Sequence, residues 1–144
     1  MTSVTAIVEH TYRRTIHPLH AVFLAGTIPL FLGALLSDLG YWSSYHVQWK
    51  NFASWLIAGG LVFGALALLS ALIGLFSAAG RGRGLFYILL LLAMWVLGFI
   101  NAVVHAKDAW ASMPTGLVLS VIVTVLACVA TSIGFSVRRA GAAR

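Results

Sequence analysis

The sequence predicts an all-α protein: an integral membrane four-helix bundle with both termini in the cytoplasm. Three observations carry that reading. Of the 144 residues, 61% are hydrophobic and only 8% are Asp, Glu, Lys or Arg, whereas a water-soluble domain carries about a quarter of its residues as charges to solvate its surface. The charged residues also avoid four stretches entirely: Leu19 to Ser37, Phe52 to Ala79, Leu85 to Val104 and Thr115 to Val137. Each stretch meets the roughly 20 residues that a helix needs to cross about 30 Å of hydrocarbon. Finally, the basic residues divide unevenly between the two sides that four crossings create.

The predicted organisation is an N-terminal cytoplasmic or interfacial segment over residues 1–16, a four-helix transmembrane domain over 17–139, and a short tail over 140–144. The helices span about 19–38, 52–79, 85–106 and 115–137. The first opens with His17-Pro18-Leu19-His20, where a proline in the first turn removes an N–H that has no helical partner anyway. Pro29 lies mid-span and predicts a kink near Ala25 or Gly26. Arg13-Arg14 ahead of an apolar run has the outline of a secretory or twin-arginine signal. The run is longer than a signal core, however, and ends in Leu36-Ser37-Asp38 without a small-x-small cleavage site, so it is expected to remain as a helix.

The second helix carries Ala53, Gly60, Gly64, Ala67, Ala71, Gly74 and Ala78. In a bilayer such a stripe lets two backbones approach closely, since lipid supplies no hydrophobic drive between helices. Gly80-Arg81-Gly82-Arg83-Gly84 reads as a tight cytoplasmic turn, making helices two and three antiparallel neighbours. The third helix places Met94, Gly98, Asn101, His105 and Asp108 on one face at 4, 3, 4 and 3 spacing. The fourth repeats the small-residue device with Gly116, Ser120, Thr124, Ala127, Thr131 and Gly134. These seams pack within one chain or form a homo-oligomer face. Cys128 has no second cysteine to pair with and reads as a buried packing thiol.

Arg13, Arg14, Arg81, Arg83, Arg138, Arg139 and Arg144 fall on one side, and only Lys50 and Lys107 on the other. The positive-inside rule therefore puts both termini in the cytoplasm. Tyr41, Trp42, Tyr45, Trp49, Trp55 and Trp110 gather at the outer ends, where amphipathic rings favour the headgroup region. The formal charge of +6 is then cytoplasmic anchoring to anionic lipid and gives no reason to expect nucleic acid as a partner.

Ionisable groups at membrane depth are costly and mark functional candidates. One set lies at the inner end: His17, His20 and His10. The other lies at the outer end: Asp38, His46, Asn101, His105 and Asp108, accompanied by Tyr41, Trp49, Asn51 and Trp110. His20, Thr27 and Asp38 share a stripe on helix one, yet 18 residues separate His20 from Asp38 by about 27 Å, so they cannot touch. Asp108 is expected to orient His105 by accepting its ring N–H, leaving the opposite nitrogen to ligate a metal or accept a proton. The plainer expectation is that Asn101 and His105 tie helices together while Asp108 caps a helix end or loop. His46 and His105 are the outer candidates for metal ligation; His17 and His20 are the inner alternative.

The His17-Pro18-Leu19-His20 opening, Leu36-Ser37-Asp38, the run Asn51-Phe52-Ala53-Ser54-Trp55-Leu56-Ile57-Ala58-Gly59-Gly60 and the segment Asp108-Ala109-Trp110-Ala111-Ser112-Met113-Pro114-Thr115-Gly116-Leu117 resemble, in order and spacing, a bacterial family of small membrane proteins: the domain of unknown function numbered 2231. The likeness runs from about Thr15 to Arg139. It implies a multi-pass protein of the bacterial inner membrane whose relatives keep company with Rieske-type iron–sulfur domains or quinoprotein dehydrogenases, and it brings no catalytic residues. The chain has no Rieske Cys/His pattern of its own.

Two functional readings follow. In the first the protein is a redox-associated membrane subunit. It binds haem b or a quinone near the periplasmic face through His46, His105, Asn101, Asp108, Asp38 and Trp49, and serves a periplasmic dehydrogenase or iron–sulfur partner. A bis-His haem needs imidazoles on both sides of one iron, whereas a quinone needs an apolar slot and one or two hydrogen-bonding groups such as His105 and Asn101. In the second the protein is a cofactor-free scaffold or anchor for a partner protein. In either reading it is an electron-transfer or anchor subunit more than a catalyst, and transport ranks lower because no span joins a broken helix to a mid-membrane charge.

Overall fold

The computed structural model describes residues 18–76 and 81–140. Among these residues the chain is helical, with no strand. Helix α1 runs Pro18–Ser44, α2 Val47–Phe76, α3 Arg81–His105, a one-turn α4 Ala109–Ser112, and α5 Thr115–Ala140. All but α4 are long and apolar enough to cross a membrane. His10, His17, Arg13, Arg14, Ala78 and Arg144 lie outside the described residues.

Three boundaries differ from expectation. Asp38 does not close α1, which continues to Ser44, and α2 begins at Val47, ahead of Asn51. The outer loop expected over residues 39–51 is thereby reduced to Tyr45 and His46. Asp38 fails to end the helix because its carboxylate is fully buried among partners, so it needs no exit to water. Tyr45 ends it instead: its φ of 54° is the left-handed conformation that terminates helices, with its N–H on the Tyr41 carbonyl at 2.7 Å. The third difference is at Arg81, where α3 has already begun, so the expected glycine–arginine turn is partly helix.

The helices pack in the cyclic order α1, α2, α3, α5, each against two neighbours, which leaves α1 and α3 on one diagonal. Their outward faces are apolar: Leu36, Leu69, Phe99 and Val125 are all exposed, and Cys128, expected to be a buried packing thiol, is exposed on the same outward surface of α5. Helices hydrophobic all round belong in lipid, and the polar residues turn inward, as lipid-embedded chains require.

The core holds Leu24 and Phe31 of α1, Ala67 of α2, Leu91 and Met94 of α3, and Val123, Ala127 and Ala130 of α5. Small residues make this possible, as the seams predicted. Gly60 is buried, and a Cβ there would stand 2.7 Å from the Phe31 ring, so its hydrogen is what admits the largest core side chain. Gly116, Ser120, Thr124, Ala127, Thr131 and Gly134 are all buried on α5. At the far end of the α2 stripe Gly74 meets nothing within 4 Å. Close approach also brings hydroxyls of α5 onto α1 carbonyls: Thr124 donates to Phe31 at 3.1 Å and Thr131 reaches Leu24 at 3.5 Å. Helix α1 remains helical through Pro29.

Candidate functional site

The ionisable residues of the bundle interior gather at its two ends. The first cluster lies at the end where α4 sits. One face of α1 is buried at His20, Leu24, Thr27, Phe31, Ala34, Ser37, Asp38 and Tyr41, which is the stripe the helical period predicts. On α3 the 3-and-4 spacing likewise buries Met94, Asn101 and His105. Both stripes point at the diagonal, and Asp38 and His105 stand at the same depth because each lies near its helix's end on this side.

His105 Nε2 is 2.8 Å from Asp38 Oδ1, and both side chains are completely shielded from solvent. His105 Nδ1 is 2.9 Å from the Asn101 carbonyl. Asn101 Nδ2 donates to Ser120 Oγ at 2.9 Å, and Ser120 donates in turn to Asp38 Oδ2. The result is a closed ring of hydrogen bonds through α1, α3 and α5. Gly116 cradles it: a Cβ there would lie 2.7 Å from His105 Cε1.

Donor and acceptor chemistry assigns the protons. A backbone carbonyl only accepts, so Nδ1 carries a hydrogen. Between Nε2 and Oδ1 lies one proton, giving either imidazolium beside carboxylate or imidazole beside carboxylic acid. Both forms are neutral as a pair, which suits a site without water. Asn101 Oδ1 is the remaining acceptor, buried without a donor.

The other expected site residues stand outside this ring. Asp108 does not accept from His105, contrary to expectation. It lies beyond the end of α3, is exposed, and accepts from the Ala109 N–H at 2.7 Å as the N-cap of α4. This is the plainer role expected for it, and a local one that a residue three positions from His105 reaches more easily than the helix interior. His46 is exposed at the α1–α2 break. Trp49 lies across Gly40 of α1, where a Cβ would come 2.9 Å from its ring, and packs edge-on to Phe52. Asn51 is exposed, and Tyr45 stacks on Trp110 with centroids 5.6 Å apart. Lys50 donates to the Lys107 carbonyl at 2.6 Å, stapling α2 to the segment after α3.

The second cluster is at the opposite end. His20 meets Ser70 Oγ of α2 at 2.6 Å through Nδ1 and the Tyr87 hydroxyl of α3 at 3.0 Å through Nε2. Ser70 donates to the Ala67 carbonyl, so it accepts from Nδ1, and Tyr87 can donate to a neutral Nε2. Gly134 of α5 closes the site, with room for no Cβ beside the Tyr87 hydroxyl at 2.9 Å. Among the described residues no group of three or more His, Cys, Asp or Glu could hold a metal ion.

Sequence reasoning missed three participants: Ser120, Ser70 and Tyr87. Ser120 was visible only as a small seam residue. Tyr87 carried a usable signal, since it lies near the end of its span opposite the one where Tyr41, Tyr45 and most tryptophans gather.

No curated protein and no solved structure matches the chain. A family model described as a predicted membrane protein matches residues 16–140. With four apolar helices closing on buried polar clusters, the chain is an integral membrane protein, and it belongs to the DUF2231 family.

Proposed function

We propose that this protein is a membrane-embedded scaffold, a rigid four-span anchor that holds a partner protein through the aromatic surface of its α4 end. The observation that carries this reading is the commitment of His105: each ring nitrogen already has a partner inside the bundle. His20 is likewise engaged through both nitrogens. Haem ligation requires a bare imidazole nitrogen, so a haem on His46 and His105 would need the Asp38 bond broken and a buried carboxylate left uncompensated. Hydrogen bonds made at membrane depth hold helices in one arrangement, which is what an anchor needs. Trp42, Trp55 and Trp110 remain exposed as the surface for a partner or for lipid headgroups.

A second reading is favoured by one specific atom. Asn101 Oδ1 is a buried acceptor in need of a donor, and a quinol hydroxyl is such a donor. In that reading Asp38, Asn101 and His105 bind a quinone, and the protein links a periplasmic dehydrogenase or iron–sulfur partner to the membrane pool. Both readings place the two termini in the cytoplasm, which rests on the arginine distribution, and residence in a bacterial inner membrane, which rests on the family resemblance.

One preparation separates them. Protein purified in detergent from cells well supplied with haem is scanned oxidised and dithionite-reduced, and its lipid extract is assayed for quinone. The scaffold reading expects neither a Soret band nor retained quinone, together with a native-membrane partner that Trp110→Ala releases without loosening the bundle. A Soret band or a retained quinone that disappears in His105→Ala would overturn it in favour of the redox subunit.

A further inference from the structure

We propose that the segment 107–114 is a releasable strap: it seals the polar interior at the α4 end, and two surface contacts to the α1–α2 break hold it in its seat. The inference is independent of both readings above, because neither a partner nor a quinone enters it.

A step in the bundle makes a cover necessary. Helix α1 continues six residues past Asp38 to Ser44, about 9 Å at 1.5 Å per residue, whereas His105 is the last residue of α3. The wall that α3 gives the interior therefore stops at the level of the Asp38–His105 pair while α1 goes on. Both side chains of the pair are nevertheless fully shielded, and Tyr41, one turn above Asp38 on the same inward stripe, is buried. The chain between α3 and α5 is placed to supply that shield. It leaves His105 at one end. At the other it enters α5 beside Gly116, where a Cβ would stand 2.7 Å from His105 Cε1. Midway, Ser112 is completely buried while Trp110 is 76% exposed, so the segment has an inner and an outer face.

The segment is also built to move as one piece. Asp108 accepts from the Ala109 N–H at 2.7 Å. The Ser112 N–H donates to the Asp108 carbonyl at 3.1 Å, and the Ser112 hydroxyl to the Ala109 carbonyl at 2.8 Å. These bonds close within the segment itself. Among the described residues, two directed contacts tie it to anything other than the α3 and α5 that it joins. Lys50 donates to the Lys107 carbonyl at 2.6 Å, and the Trp110 ring stacks on Tyr45 with centroids 5.6 Å apart. Tyr45 in turn meets Tyr41 edge-on. Both latches are exposed to solvent, and contacts of this kind each shift an opening equilibrium by about tenfold or less. Elements held by few buried contacts are the ones that open locally while the core stays closed. Lifting the strap uncovers the pair and the unpartnered Asn101 Oδ1 to small polar molecules from the aqueous side.

The test is cysteine accessibility in the full-length protein in micelles, on a Cys128→Ser background, with a charged methanethiosulfonate that does not enter an apolar core. Reporter cysteines are placed singly at Ser112, Ser120 and Ala67, the last in the mid-span core. Labelling rates are compared with and without the latch substitutions Tyr45→Gly and Lys50→Met. Glycine takes the φ of 54° at Tyr45 without strain, and methionine keeps most of the lysine stem while losing the donor. The expected result is a rise of about tenfold or more at Ser112→Cys and Ser120→Cys, with Ala67→Cys unchanged. An unchanged rate at either serine position would overturn the proposal, and so would an equal rise at Ala67→Cys, which would mean that the whole bundle loosens. Should the double latch variant fail to fold, Lys50→Met alone decides by the same ratios, with a smaller rise expected at both serine positions and none at Ala67→Cys.

Discussion

The Asp38 carboxylate and the His105 imidazole meet 2.8 Å apart across the diagonal of the bundle, joining two helices that are not packed neighbours. At the opposite end His20 and Tyr87 make the corresponding diagonal bond at 3.0 Å. Between them lies an apolar core centred on Phe31. The bundle is thus held at both ends by directed bonds, with packing between.

Removing one member of the buried pair leaves the other uncompensated. Asp38→Ala should destabilise the protein by about 3–5 kcal/mol, seen as a shift of the SDS-unfolding midpoint. Ser120→Ala, which removes one donor to the carboxylate, should cost about 1–3 kcal/mol.

Gly116 is defined by what it leaves out. Gly116→Ala would drive a methyl group against His105 Cε1, 2.7 Å away, and displace the ring from Asp38. The expected loss is about 1–3 kcal/mol, although alanine is the better helix former. A stability equal to or above wild type would contradict the cradle.

The His20 cluster is a set of neutral hydrogen bonds and should be less sensitive. Tyr87→Phe leaves His20 Nε2 without its partner and should cost about 1–2 kcal/mol, less than Asp38→Ala in the same unfolding assay.

Packing at mid-span is tested at Gly60. Gly60→Ala brings a methyl to 2.7 Å from the Phe31 ring, and a loss of about 1–3 kcal/mol is expected. The double variant Gly60→Ala with Phe31→Leu should recover part of it, read from the same midpoint shift.

Much of this was legible in the residue order. Charge-free runs of bilayer length marked the spans, and helical spacing placed Asp38, Asn101 and His105 on inward faces. Which partner each would meet was less legible, because Asp108 lies three positions from His105 while Asp38 lies 67 positions away on another helix. Periodicity orders residues along one helix and says nothing of which helices face one another. Depth grouped Asp38 with His105 at one end, since both sit near the ends of spans that exit on the same side, but depth alone does not choose Asp38 over Asp108 as the partner. Ser70 and Ser120 were harder still, since a small residue on a packing seam and a hydrogen-bond partner look alike until the opposite helix is placed.

The central claim is that Asp38 and His105 act as one unit across the bundle. A double-mutant cycle on Asp38→Asn and His105→Gln, read by reversible SDS unfolding in mixed micelles, tests it most directly. Strong non-additivity is predicted, with the second substitution adding little once the first is present and a coupling of about 1–3 kcal/mol. Losses that simply add, to within about 0.3–0.5 kcal/mol, would show two independent residues and contradict the claim.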